Sequence, residues 1–126
     1  MVGGQWMRET DRQSASATTT AAPSLDVVFD TLADRRRRYA LYYLHDVSDG
    51  VATIDDVSSY IVARENSEHD PADHRRHVMT ALRHVHVPKL EDLGVVEYDS
   101  RSETVRYWSQ PTLEEWLEHA RHKELS

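Results

Sequence analysis

Apolar residues recur at helical spacing from Ser24 onward. Leu25, Val28, Phe29 and Leu32 fall at i, i+3, i+4 and i+7 behind Ser24, whose hydroxyl suits an N-cap, so the spacing predicts a helix with one buried stripe. Asp34 restarts the pattern with a second cap. Residues 35–47 then place Ala40, Tyr43, Leu44 and Val47 on a common face, while Tyr39, Leu41 and Tyr42 make the segment apolar on another side. A helix of that kind is either central to the core or part of a subunit contact. After a turn at Ser48-Asp49-Gly50, Thr53 and Asp56 stand at capping-box spacing and introduce Ile54, Val57, Tyr60 and Ile61 as a short third helix. Pro71 behind Asp70 opens the longest helix, whose expected buried stripe is Val78, Leu82, Val85 and Leu93, with Leu90 beside it and Gly94 at its C-terminal cap. Pro88 lies inside it and should kink or split it near His86. Beyond Gly94 the period shortens to two, so Val95 to Tyr98 and Thr104 to Tyr107 predict a β-hairpin around Asp99-Ser-Arg-Ser102. Pro111 and Thr112 open a last amphipathic helix with Leu113, Trp116 and Leu117 on one side. Residues 1–23 have no apolar period and include Ser14-Ala-Ser-Ala-Thr-Thr-Thr-Ala-Ala22, a composition expected of a disordered tail.

Short helices before a longer one, followed at once by a hairpin, give a mainly α fold with a β-hairpin wing, the plan of a winged helix-turn-helix. Residues 24–110 form that domain, and the amphipathic helix over 111–126 is suited to dimerisation. Leu90-Glu-Asp-Leu-Gly-Val-Val-Glu-Tyr98 resembles the end of the recognition helix and the first wing strand of ArsR- and MarR-like regulators. Phe29-Asp-Thr-Leu-Ala-Asp-Arg-Arg-Arg-Arg-Tyr-Ala-Leu-Tyr-Tyr-Leu44 and Leu82-Arg-His-Val-His-Val-Pro-Lys-Leu-Glu-Asp-Leu-Gly-Val-Val-Glu-Tyr98 resemble a haloarchaeal winged-helix family without an assigned biochemical function. The resemblance covers roughly residues 25–108. It implies a fold and leaves ligand and operator open, because the same scaffold serves repressors, activators, sensors and protein-binding modules.

Composition narrows the class. A chain of 126 residues has room for one domain, and 39% hydrophobic residues with no long apolar stretch exclude an integral membrane protein. Cysteine is absent, which removes disulfide scaffolds, cysteine zinc fingers and thiol nucleophiles. With no secretory leader pattern visible, a cytoplasmic location is expected. The net charge is −7, and Lys89 and Lys123 are the only lysines among 15 basic residues. An acidic, lysine-poor surface looks like an adaptation to salt-accumulating cells, where a Debye length of about 3 Å near 1 M salt mutes mutual repulsion.

Basic character is local. Residues 74–90 contain no acid but carry Arg75, Arg76, Arg83, Lys89 and four histidines. Opposite the expected buried stripe fall Arg76, His77, Thr80, Arg83 and His84. Arginine can pair bidentately with guanine in the major groove, and Thr or His can bond base edges or phosphates. In the hairpin, Arg101 at the tip is placed to enter the minor groove and Arg106 to touch the backbone. These seven residues are the candidate contacts to double-stranded DNA, presented by a homodimer. The alternative is a protein-interaction module, supported by the overall acidity and by Tyr39, Tyr42, Tyr43, Trp108 and Trp116 as contact aromatics. Arg35 to Arg38 point around the whole helix and read as a solubilising surface rather than a phosphate row. No enzyme motif is present, and no cofactor is expected. Asp70, Asp73, His74 and His77, and likewise Glu115, His119 and His122, share helical faces, spacings that arise readily by accident among eight histidines, so no metal site is assigned. His86 falls on the Leu82 side as a packing histidine.

Overall fold

The computed structural model describes residues 24–125, and the expected tail over 1–23 lies outside them. Helices α1 (Leu25–Leu32) and α2 (Arg35–Asp46) are followed by strand β1 (Val51–Thr53) and helix α3 (Ile54–Arg64). Helix α4 (Pro71–Ala81) runs through a π-helical turn, Leu82–His86, into α5 (Val87–Asp92). Strands β2 (Val96–Asp99) and β3 (Thr104–Tyr107) form the wing, and α6 (Pro111–Leu125) closes the fold. The three strands make one antiparallel sheet in the order β1-β3-β2, so the fold is mainly α with a β wing, in winged helix-turn-helix order.

Local chemistry accounts for the helix starts. Ser24 accepts from the Val27 N–H at 3.2 Å, Asp34 from Arg36 and Arg37, Thr53 from Asp56 at 3.0 Å, and Asp70 from Ala72 and Asp73. Each satisfies backbone donors that the first helical turn leaves without partners. Gly94 ends α5 at φ 76°, which lets the Val95 N–H reach back to the Leu90 carbonyl at 2.9 Å. Gly50, at φ 69°, turns the chain into β1, and its carbonyl accepts from the Tyr107 N–H at 2.8 Å. Strand β1 has no counterpart in the sequence reading. Three residues are too few to show a period, and the strand exists because β3 offers an open edge, pairing Ala52 with Val105.

Helix α2 is the centre of the core. Tyr39, Ala40, Leu41, Tyr42 and Leu44 are all buried, against Val28, Ile54, Val57, Ile61, Val78, Leu82, Leu90, Leu113 and Leu117 from the surrounding helices. Its two apolar faces are thus satisfied within one chain. The expected stripe of α1 holds only in part. Val28 is fully buried and Leu32 packs at the core edge, but Leu25 and Phe29 are 54% and 50% exposed. An eight-residue helix at the margin of the core presents just one turn of its stripe to α2, and Phe29 instead meets the Trp116 ring edge-on at 5.4 Å. Among the described residues, no helix is long and apolar enough to cross a membrane.

Three of the four arginines at the start of α2, Arg36, Arg37 and Arg38, are structural rather than solubilising, while Arg35 is exposed. Arg37, 9% exposed, donates to the Thr31 and Asp30 carbonyls at the end of α1. Arg36 forks onto Glu65 at the end of α3, and Arg38 onto Glu124 of α6 while also reaching the Leu32 carbonyl. Because consecutive helical side chains diverge by about 100°, neighbouring arginines reach different elements and tie them to one helix start.

Candidate nucleic-acid interface

Pro88 determines how the longest helix presents its side chains. It has no N–H to donate, and its ring would collide with the carbonyl one turn earlier. The helix absorbs this without a break. The Val87 N–H bonds to the Leu82 carbonyl, five residues back, and the extra residue forms the π-helical turn. The buried stripe therefore shifts. It runs through Val78 and Leu82 to His86, Val87 and Leu90, while Val85, expected inside, is 55% exposed.

The inner face of this helix rests on a polar cluster. His74, 8% exposed, places Nε2 2.8 Å from Glu65 Oε1, the carboxylate that Arg36 also holds. Burial raises the Glu65 pKa, but hydrogen bonds from Arg36 and His74 outweigh it and leave the carboxyl below its usual range. His86 is 7% exposed, with Nδ1 lacking a hydrogen-bond partner and 3.8 Å from Asp34 Oδ1. Burial depresses the His86 pKa despite the pull of Asp34. His74 thus turns inward, away from Asp70, which caps the helix, and from Asp73, which pairs with Arg76. Among the described residues, no group of three or more His, Cys, Asp or Glu side chains converges as a metal site.

Outward, α4 presents Arg76, His77 and Thr80, all exposed, with His84 exposed on the π-helical turn. Arg76 is ion-paired with Asp73, and the His77 ring meets His69 at 6.5 Å. Arg75 turns aside to Asp55 and Ser59 of α3, tying the two helices of the helix-turn-helix together. Arg83 is half-buried, and its guanidinium forks onto Glu103 of the wing at 2.6 and 2.9 Å. Arg101 is exposed in the wing turn, its N–H bonded to Asp99. Arg106 is exposed on the outer face of the sheet beside Glu97, its guanidinium 5.5 Å from the Trp108 ring, at the base of the wing rather than its tip.

The structure therefore gathers five of the seven candidates on one helix, links Arg83 to the wing, and leaves Arg106 apart. The sequence reading missed Glu103 and the outward turn of Val85. No local pattern pairs an acid in the hairpin with an arginine 20 residues earlier. The aromatics resolve differently as well. Of the five contact aromatics expected from the sequence, Tyr39 and Tyr42 are core residues and Tyr43 packs half-buried against the core, which leaves Trp108 and Trp116 exposed, at 44% and 37%, with Phe29 exposed beside Trp116.

No curated protein and no solved structure matches the chain. The family model described as a domain of unknown function, DUF7344, matches residues 29–106. That span takes in both helices of the helix-turn-helix and most of the wing, well over half of the sequence, and the chain belongs to this family.

Proposed function

We propose that the protein is a DNA-binding transcriptional regulator that lays the outward face of α4 in the major groove and sets the wing turn against the flanking backbone or minor groove. One observation carries this reading: Arg76, His77, Thr80 and His84 stand uncovered on a helix braced from behind by α3 and flanked by the wing. The acidic, lysine-poor composition supports a haloarchaeal source and a cytoplasmic site of action, as does the resemblance to haloarchaeal and ArsR/MarR-like winged helices. Phosphate contacts weaken as salt rises, so base and shape contacts must supply more of the affinity in such a cell. Titration of a duplex selected from a random pool, at two KCl concentrations, tests the reading. Arg101→Ala should weaken cognate and random DNA alike and flatten the log–log salt slope by about one unit. If the parent retains no duplex at either salt, the reading is wrong.

The second reading, a protein-interaction module, is favoured by the acids that pair with Arg76 and Arg83 and interrupt a positive strip. Dimerisation serves either reading. Leu113 and Leu117 are buried within the chain, but Leu25, Phe29, Trp116 and Leu125 remain exposed on α1 and α6, and a two-fold contact would cover them. Light scattering in molar KCl should give the mass of a dimer, and Trp116→Glu that of a monomer. A monomeric parent would remove the claim.

A further inference from the structure

We propose that Glu103 is a positioning residue that sets sequence preference, by holding the Arg83 guanidinium in one orientation and shielding it from phosphate; this rests on the DNA-binding reading above. Glu103 has φ 54°, a left-handed conformation that a side chain with a Cβ rarely adopts. Three contacts keep it there. Its carbonyl accepts from the Ile54 N–H at the start of α3 at 2.9 Å, its carboxylate receives both arms of Arg83, and the Tyr98 hydroxyl lies 3.4 Å from the same carboxylate. A strained residue over-determined in this way by the wing, α3 and the long helix marks a place where geometry is being fixed. Arg83 itself belongs to the π-helical turn, which sets the direction of its side chain toward the wing.

Of the five N–H groups of Arg83, Nε–H and one on Nη2 are engaged by Glu103. Both on Nη1 and the second on Nη2 remain; that second Nη2–H and the Nη1–H beside it form the end edge of the guanidinium, the edge whose paired donors match guanine O6 and N7. Glu103 thereby leaves the reading edge available and fixes its plane. Its negative charge meanwhile opposes the approach of a phosphate more than that of a neutral base edge. Both effects favour a base over the backbone, and the Arg83 fork keeps the Glu103 carboxyl below the usual carboxylate range, so the charge persists in mild acid.

Glu103→Gln removes the charge and one acceptor while keeping the shape. It should tighten binding to random duplex, steepen the salt slope by about one unit, and lower the cognate-to-random ratio about tenfold. Glu103→Gly, which relaxes the backbone but also loses the carboxylate, should lower the ratio similarly. In an Arg83→Ala background, Glu103→Gln should leave the ratio where Arg83→Ala alone puts it. Matched melting temperatures establish that the variants are folded. A parent that selects a site whose ratio Glu103→Gln leaves unchanged overturns this inference and spares the DNA-binding reading. A fall of equal size with and without Arg83 also overturns it, since Glu103 would then act through general structure. If neither parent nor Glu103→Gln binds any duplex, both readings fail.

Discussion

Arg37→Ala is expected to destabilise the domain by about 2–4 kcal/mol, because two carbonyls at the end of α1 lose a charged donor together. For a domain of this size that is a fall of about 10–20 °C in melting temperature. The last carbonyls of a helix have no partner within it, and the C-terminus carries partial negative charge. Arg37 supplies both remedies from the first turn of the next helix, donating to Thr31 at 3.2 Å and Asp30 at 2.8 Å. Thr31 is fully buried, so water cannot readily replace the lost contact. Arg37→Lys keeps the charge but lacks the planar fork and should recover only part of the loss. Thermal melts of the three proteins in the same KCl test this, and an alanine variant melting within about 2 °C of the parent would show that the clamp adds nothing.

Acid should destabilise the fold in two stages. Burial holds the His86 pKa below its ordinary 6.5, so the native state keeps the ring neutral while the unfolded chain gains a proton. Stability is therefore lost as pH falls from about 6.5 toward the folded value, and no more is lost to this group below it. The second stage comes from carboxylates whose folded pKa values are depressed. Hydrogen bonds from Arg121 lower Asp46, and those from Arg38 lower Glu124 with help from Tyr42. In Asp34 and Glu65 burial pulls upward, but the backbone donors at Asp34 and the Arg36 and His74 contacts at Glu65 prevail. These contributions are present above the unfolded values near 3.8 and 4.5 and disappear as pH falls through the folded ones. Glu91, raised by burial, works in the opposite sense. Melting temperature should thus decline as pH falls below about 6.5 and again below about pH 4.5, with His86→Leu flattening only the first decline. Melting temperatures of the parent and of His86→Leu that follow the same course as pH falls below about 6.5 would show that His86 is not held neutral.

The legible parts of this fold are those encoded within a few residues. Ser24, Asp34, Thr53 and Asp70 start their helices through N–H groups two or three residues ahead, and Gly94 ends one through its own φ. The wing follows from a change of period and a turn, and the candidate helix face from a run of residues without acids. The sequence also marked Pro88 as a disturbance, but a missing N–H does not say whether a helix breaks, kinks or takes in an extra residue. Packing decided that: a π-helical turn brings His86 and Val87 onto the core and turns Val85 out. Partners far apart in the chain were equally undetermined. Arg36 meets Glu65 across 29 positions, Arg38 meets Glu124 across 86, and Arg83 meets Glu103 across 20. Helical spacing tells which way an arginine points relative to its own helix. Which carboxylate waits there depends on how helices and wing settle around α2, and so does whether an arginine is free for a partner or already held.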